Sequence, residues 1–256
     1  MKNRLRSDAY AERLLSESLR TLRANLLMQI SATDRVLLIT SARPQEGKTT
    51  IASALAQALA HVGSRVLLVD ADLRHPHVHD VFHTPIREGF AELLDGKVTA
   101  VDACHLIGSN SKLDSSTSIA AAWTIRSRIT GGGLSVLTSG TPPNDPHKLL
   151  LGGNLRRILG ELRQLYDVVI LDSAPVLAVA DTLLIAPAVD GIVTVCKWGT
   201  VTLSEVQLMR HRLESVHGRI VGSVLNQFPI HGSRYDYPYV TQYASQPSLV
   251  AGKRAG

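Results

Sequence analysis

Ser41-Ala42-Arg43-Pro44-Gln45-Glu46-Gly47-Lys48-Thr49-Thr50 decides how the rest of this chain is read. It follows the apolar run Val36-Leu37-Leu38-Ile39 and precedes an alanine-rich stretch at helical spacing. The reading is strand, loop, helix, with Gly47-Lys48-Thr49 at the turn. A phosphate suits that arrangement, because loop amides and a helix N-terminus aim N–H groups and a partial positive charge at it. Lys48 can reach outer phosphates, and the Thr49 hydroxyl can ligate Mg²⁺. The strict pattern G-x-x-x-x-G-K-[ST] fails at its first glycine, which is Ala42 here. Gly-Lys-Thr between a buried-strand pattern and a helix still reads as a nucleotide-binding loop. Pro44, Gln45, Glu46, Gly47, Lys48, Thr49 and Thr50 would surround the phosphates.

Working outward, Arg65 to Val69 is a second buried strand and ends in Asp70-Ala71-Asp72-Leu73-Arg74. Carboxylates two apart share a face if the strand continues. They fall where a parallel strand meets a ligand crevice, at its C-terminal end. Asp167 to Leu171 is another apolar strand, tipped by Asp172. An acid there in a P-loop protein reaches Mg²⁺, directly or through water. Strands are also expected at Leu134 to Leu137, Ile192 to Cys196 and Arg219 to Leu225, with Asn226 at the last tip. That amide can read a purine edge or simply hold a turn. Alternation of strands with helices predicts an α/β fold with a doubly wound, mostly parallel sheet.

Composition bounds the rest. The chain has 256 residues, 45% hydrophobic and 4% aromatic, so Leu, Val, Ile and Ala must fill the core. The formal charge of +5 is spread along the chain and suits nucleotide, nucleic acid or anionic lipid without choosing among them. Cys104 and Cys196 stand in no metal or redox spacing, which points to a reducing compartment. No signal-peptide pattern is found. The longest apolar region, 174–196, is broken by Asp181, Pro187, Asp190 and Gly191, so it reads as packed core rather than a membrane helix.

Residues 11–30 carry Leu15, Leu19, Leu22 and Leu26 at helical spacing, with Glu17, Arg20 and Arg23 three apart. These charges form either a solvated face or a contact to another subunit. His75, His77, His79 and His83 read as a polar loop more readily than as a metal site. A short helix is expected over 88–96 and a single one from about His147 to Tyr166. Thr202 with Glu205 is a capping box opening a helix to about His217. Residues 97–133 are the least readable part, with loop composition at Gly108 to Lys112 and Ser115 to Ser118. Residues 1–228 read as one domain and 229–256 as a flexible tail. The tail holds Tyr235, Tyr237, Tyr239 and Tyr243, four of six tyrosines.

Together these residues resemble the cytoplasmic catalytic domain of bacterial tyrosine kinases, the autokinases of capsule and exopolysaccharide export. Ala42-x-Pro44-x-x-Gly47-Lys48-Thr49 resembles that family's Walker A motif, and Val66 to Arg74 its second acidic motif. Val168 to Pro175 resembles its Walker B motif. Glu17-x-x-Arg20-x-x-Arg23 resembles its oligomer-interface motif, and the late tyrosines its acceptor cluster. The resemblance implies a P-loop fold of the partition-ATPase group, with ATP and Mg²⁺ as cofactors. By position, Lys48 holds β/γ-phosphate, and Thr49, Asp72 and Asp172 serve the metal. Asp70 accepts the phenol proton, and the late tyrosines accept phosphate. It further implies a homo-oligomeric ring, a separate transmembrane activator and no nucleic acid partner. The chain would be cytoplasmic, recruited to the inner face of the plasma membrane through that partner. Residues 97–133 depart from the family in length and polarity. The rivals are a partition or cell-division-site ATPase switch, whose signature lysine would fall at Arg43, and an ATP-binding scaffold without phosphotransfer.

Overall fold

The computed structural model describes residues 17–107, apart from 27 and 32, and residues 132–229. Its centre is β1 (Val36–Ser41), every residue of which is buried. A strand buried on both faces is continuously apolar rather than alternating. β1 lies between β5 (Val168–Asp172) and β6 (Gly191–Lys197), parallel to both. Outward from β5 come β2 (Arg65–Asp70) and β4 (Gly133–Leu137); outward from β6 comes β7 (Ile220–Asn226). With β3 (His105–Leu106) at the outer edge of β4, the full order is β3-β4-β2-β5-β1-β6-β7. The doubly wound, mostly parallel sheet expected from the sequence is what forms.

The period of two divides β1 between two cores. Leu37 and Ile39 face one side, where they meet Ile51, Leu55 and Leu59 of α2 (Lys48–His61) and Leu26 of α1, the helix over 17–26. Val36 and Leu38 face the other. That side holds Ile158, Leu159 and Leu162 of α7 (Asn154–Leu165) and Met209 and Leu213 of α9 (Leu203–Ser215). Beyond Lys48 the buried residues of α2 carry no charge, and burying one leucine there gains roughly 2 kcal/mol. Smaller elements complete the chain: α3 (Val78–Phe82), α4 (Phe90–Leu94), α5 (Ala100–Ala103), α6 (Pro146–Leu151) and α8 (Asp181–Ile185).

Two expectations need correction. The single helix from 147 to 166 is two, α6 and α7, broken at Gly152-Gly153. Gly153 has φ 80°, a left-handed conformation that cannot sit inside a helix. The six strands expected become seven: β3 pairs antiparallel with β4 at the sheet edge, inside the least readable stretch. The capping box holds: Thr202 accepts from the Glu205 N–H while Glu205 accepts from the Thr202 N–H at 2.9 Å. Among the described residues, no helix is long and apolar enough to cross a membrane.

Candidate phosphate-binding and acidic site

The loop after β1 wraps back on itself because Gln45 (φ 61°) and Gly47 (φ 92°) are left-handed. Gly47 is required twice over. A Cβ there would stand 2.1 Å from Nδ2 of Asn226. Ala42 has no positive φ and is fully buried, so the glycine of the strict pattern is not needed at that position. α2 then begins with no side-chain cap and no acid in its first turn. Its N-terminal amides are left for an anion.

Lys48 is buried to 8% exposure and lines a cavity of about 640 Å³. The walls also include Gln45, Thr49, Thr50, Asp72, Arg74 and His77. Pro44 and Gly47 line it too, as the sequence predicted, but Glu46 does not. Its side chain is fully buried behind the loop, so it can serve a phosphate only through its backbone. Burial pushes its carboxyl above the usual range.

The acids come from adjoining strand tips. Asp70 of β2 pairs in register with Asp172 of β5, one strand spacing apart. The Thr49 hydroxyl donates to Asp172 Oδ2 at 2.6 Å. Asp172 Oδ1 has no partner, and burial pushes this carboxyl up to about 7. Asp70 Oδ2 accepts the N–H groups of His77 (3.0 Å) and Val78 (2.9 Å), while its Oδ1 is equally without a partner. Burial first, then the nearby Asp172, raises Asp70 well above the carboxylate range. Asp72 turns toward the cavity, its Oδ1 accepting the His75 N–H at 3.1 Å. Two buried carboxylates side by side repel each other, and each keeps one unsatisfied oxygen. Beside a hydroxyl and an ammonium, that hard-oxygen set fits Mg²⁺ together with phosphate.

Three supports join residues far apart in the sequence. Arg74 grips the buried Asp181 of α8 with two bonds, Nε at 2.6 Å and Nη2 at 3.1 Å, closing the cavity's far wall. Arg43, in the loop, pairs with Glu205 of the α9 capping box. Asn226 donates from Nδ2 to the Glu46 carbonyl at 2.9 Å and accepts the Gln227 N–H at 2.9 Å, so it latches the loop. The sequence marked Arg43 and Asn226 as residues of interest but not these bonds. Elsewhere, Glu17 pairs with Arg20 at 3.3 Å along an exposed helix face, with Arg23 half-buried beside them. Tyr235, Tyr237, Tyr239 and Tyr243 lie outside the described residues.

Comparison with known proteins agrees with this geometry. The CobQ/CobB/MinD/ParA nucleotide binding domain matches residues 37–236. Tyrosine-protein kinase YwqD of Bacillus subtilis is 33% identical over 216 residues, covering 83% of this chain and 81% of that protein. Tyrosine-protein kinase etk of Escherichia coli K12 is 32% identical over 211 residues, 82% of this chain but only 26% of that larger protein. The solved kinase domain of Escherichia coli ETK superposes with a TM-score of 0.73 at 31% identity, over 85% of this chain and 77% of that one. MinD of Pyrococcus horikoshii, solved with Mg-ADP, superposes at 0.59 with 17% identity over 83% of this chain and 78% of its own, a likeness of fold alone. A nucleotide-binding domain of that fold, with a tyrosine-kinase relative matched over most of its length, places this chain in the bacterial tyrosine kinase family.

Proposed function

We propose that this chain is a protein-tyrosine autokinase, transferring the γ-phosphoryl of ATP to its own late tyrosines. The observation that carries the reading is the pair Asp70 and Asp172, each buried with one unpartnered oxygen, beside Lys48 and Thr49. Lys48 and the first amides of α2 hold the phosphates. Thr49, Asp72 and Asp172 would hold Mg²⁺, which when bound neutralises phosphate charge and orients the transferred group. An oxygen–phosphorus bond forms from the phenol as the bond from the γ-phosphorus to ADP breaks. The phenol proton goes to Asp70, through its unpartnered Oδ1. Most of the rate comes from positioning and charge neutralisation. A base contact by Asn226 would use its second N–H, the first being given to Glu46.

The wider reading follows the same family. Transfer in trans, from one copy's site to the next copy's tail, would need a ring, with Glu17, Arg20 and Arg23 at its contacts. A separate membrane-spanning activator would bring the chain to the inner face of the membrane, and its task would be control of capsule or exopolysaccharide export. Each phosphate added to the tail brings about −1.5 to −2 charges, weakening its return to an acidic site and opening the ring.

Incubation with ATP and Mg²⁺ followed by intact-mass measurement tests the reading. The expected result is a rise in steps of about 80 Da per phosphate, lost in Lys48→Met and on removal of residues 229–256, with ATP binding kept in the truncated chain. ADP release without added mass would refute it and favour a nucleotide-driven switch, the second reading supported by the MinD-like fold.

A further inference from the structure

The acids lie to one side of the phosphate loop. β1 stands between β5 and β6, so Asp172 and Asp70 are on the β5–β2 side. The opposite tips, of β6 and β7, carry Lys197 and Asn226 instead. A triphosphate with its outer phosphates at Lys48 and the acids would place its sugar and base on the side away from those acids, toward β6 and β7.

An aromatic pair waits there. Trp198 follows β6 and is 49% exposed. It meets Phe228, just after β7, edge to face, with ring centroids 4.8 Å apart and planes at 76°. About half of the Trp198 indole is left open to a ligand. The 198–202 segment is tied to the phosphate loop at both ends. At one end the Trp198 N–H donates to the Asn226 carbonyl at 2.9 Å, and Asn226 holds the Glu46 carbonyl. At the other the Thr202 N–H and hydroxyl donate to Glu205, which pairs with Arg43 of the loop. A half-exposed indole fixed this firmly beside a phosphate site is a built surface.

We propose that Trp198 and Phe228 form the wall on which the purine base of the nucleotide stacks. The inference rests on the nucleotide-binding reading of the loop. A stacking wall reads the π-face, which every base presents, so ATP and GTP should bind with similar strength.

Trp198 can report on itself. The chain has two tryptophans, and Trp123→Phe leaves Trp198 alone. Emission of that full-length variant is titrated with Mg-ATP, Mg-GTP and Mg-tripolyphosphate, with affinities taken by calorimetry. Both nucleotides should quench it, while tripolyphosphate should bind without quenching. Trp198→Leu should weaken ATP and GTP on the order of tenfold and leave tripolyphosphate unchanged, and Trp198→Phe should recover most of the loss. Unchanged tripolyphosphate binding also shows that the variants fold. Equal ATP affinity in Trp198→Leu, or equal quenching by tripolyphosphate, overturns the wall and leaves the phosphate site standing. Failure of the unmodified chain to bind ATP or tripolyphosphate overturns both.

Discussion

Replacing Gly47 by alanine tests how the phosphate loop is held. Two separate penalties are built into that position. The first is backbone strain: at φ 92° a residue with a Cβ loses about 1 to 2 kcal/mol relative to glycine. The second is steric. The new carbon would lie 2.1 Å from Asn226 Nδ2, closer than non-bonded atoms tolerate, so the asparagine must swing away. Its bond to the Glu46 carbonyl goes with it, a further loss of about 1 kcal/mol. Gly47→Ala should therefore destabilise the chain by about 2.5 kcal/mol. Asn226→Ala alone should lose about 1 kcal/mol, the latch and little else. In the double variant the latch is already gone and only the strain remains, about 1.5 kcal/mol on top of Asn226→Ala. The double variant should thus match Gly47→Ala, with a coupling of about 1 kcal/mol between the sites. Urea midpoints of the four proteins, with calorimetric ATP affinities beside them, measure it. Strict additivity, with the double variant falling by the full sum, would mean that a Cβ at position 47 does not displace the Asn226 latch.

Four other outcomes follow from the same geometry. Thr49→Val removes the hydroxyl bonded to Asp172; the gain in ATP affinity that Mg²⁺ provides should vanish while metal-free affinity stays, and a preserved Mg²⁺ effect would contradict the assignment. Asp172 has a folded pKa of about 7 against an ordinary value near 3.9, and a raised acid contributes stability below pH 4 that is lost as pH rises through 7. The metal-free chain should melt lower at pH 8 than at pH 5, Mg²⁺ should narrow that gap, and Asp172→Asn should reduce it, Asp70 keeping its own share; an unchanged slope in the variant refutes the cause. Arg74→Leu leaves the buried Asp181 without its cation and should lower stability by about 3 kcal/mol, whereas Arg74→Lys, unable to make both bonds, should recover only part by urea unfolding. Arg20→Ala with Arg23→Ala should convert an assembly into monomers by light scattering without altering the fold, and an unchanged mass would remove the interface role.

The sheet was legible because its strands are parallel and covered on both faces. β2 and β5 carry short apolar runs ended by an acid, and β1 and β6 are apolar apart from Thr40, Ser41, Thr194 and the closing Lys197. What escaped was local or long-range. β3 is two residues long, with no period to detect, and it exists because β4 offers a free edge. The break between α6 and α7 depended on which glycine of Gly152-Gly153 takes a positive φ, while α7 alone has a strongly amphipathic pattern that ran the two together. The grip of Arg74 on Asp181 joins positions 107 apart, and Asn226 reaches Glu46 across 180. Neither partner looks unusual where it stands.

That difference has a physical origin. A catalytic acid is an anomaly in its surroundings: Asp70 and Asp172 end runs of Val, Leu and Ile and are fully buried, where an isolated carboxylate is strongly disfavoured. Two such groups in adjoining register either hold protons, as burial favours here, or meet positive charge, so their presence at strand tips points to a cation site. Supporting residues carry no such mark. Arg43, Asn226 and Arg74 satisfy ordinary bonds at turns and helix starts, and a residue in an ordinary place could have satisfied them with water. Charge in the wrong solvent is visible from composition alone, whereas a latch is visible only once both of its ends have coordinates. The chemistry of this site was therefore easier to read than its architecture.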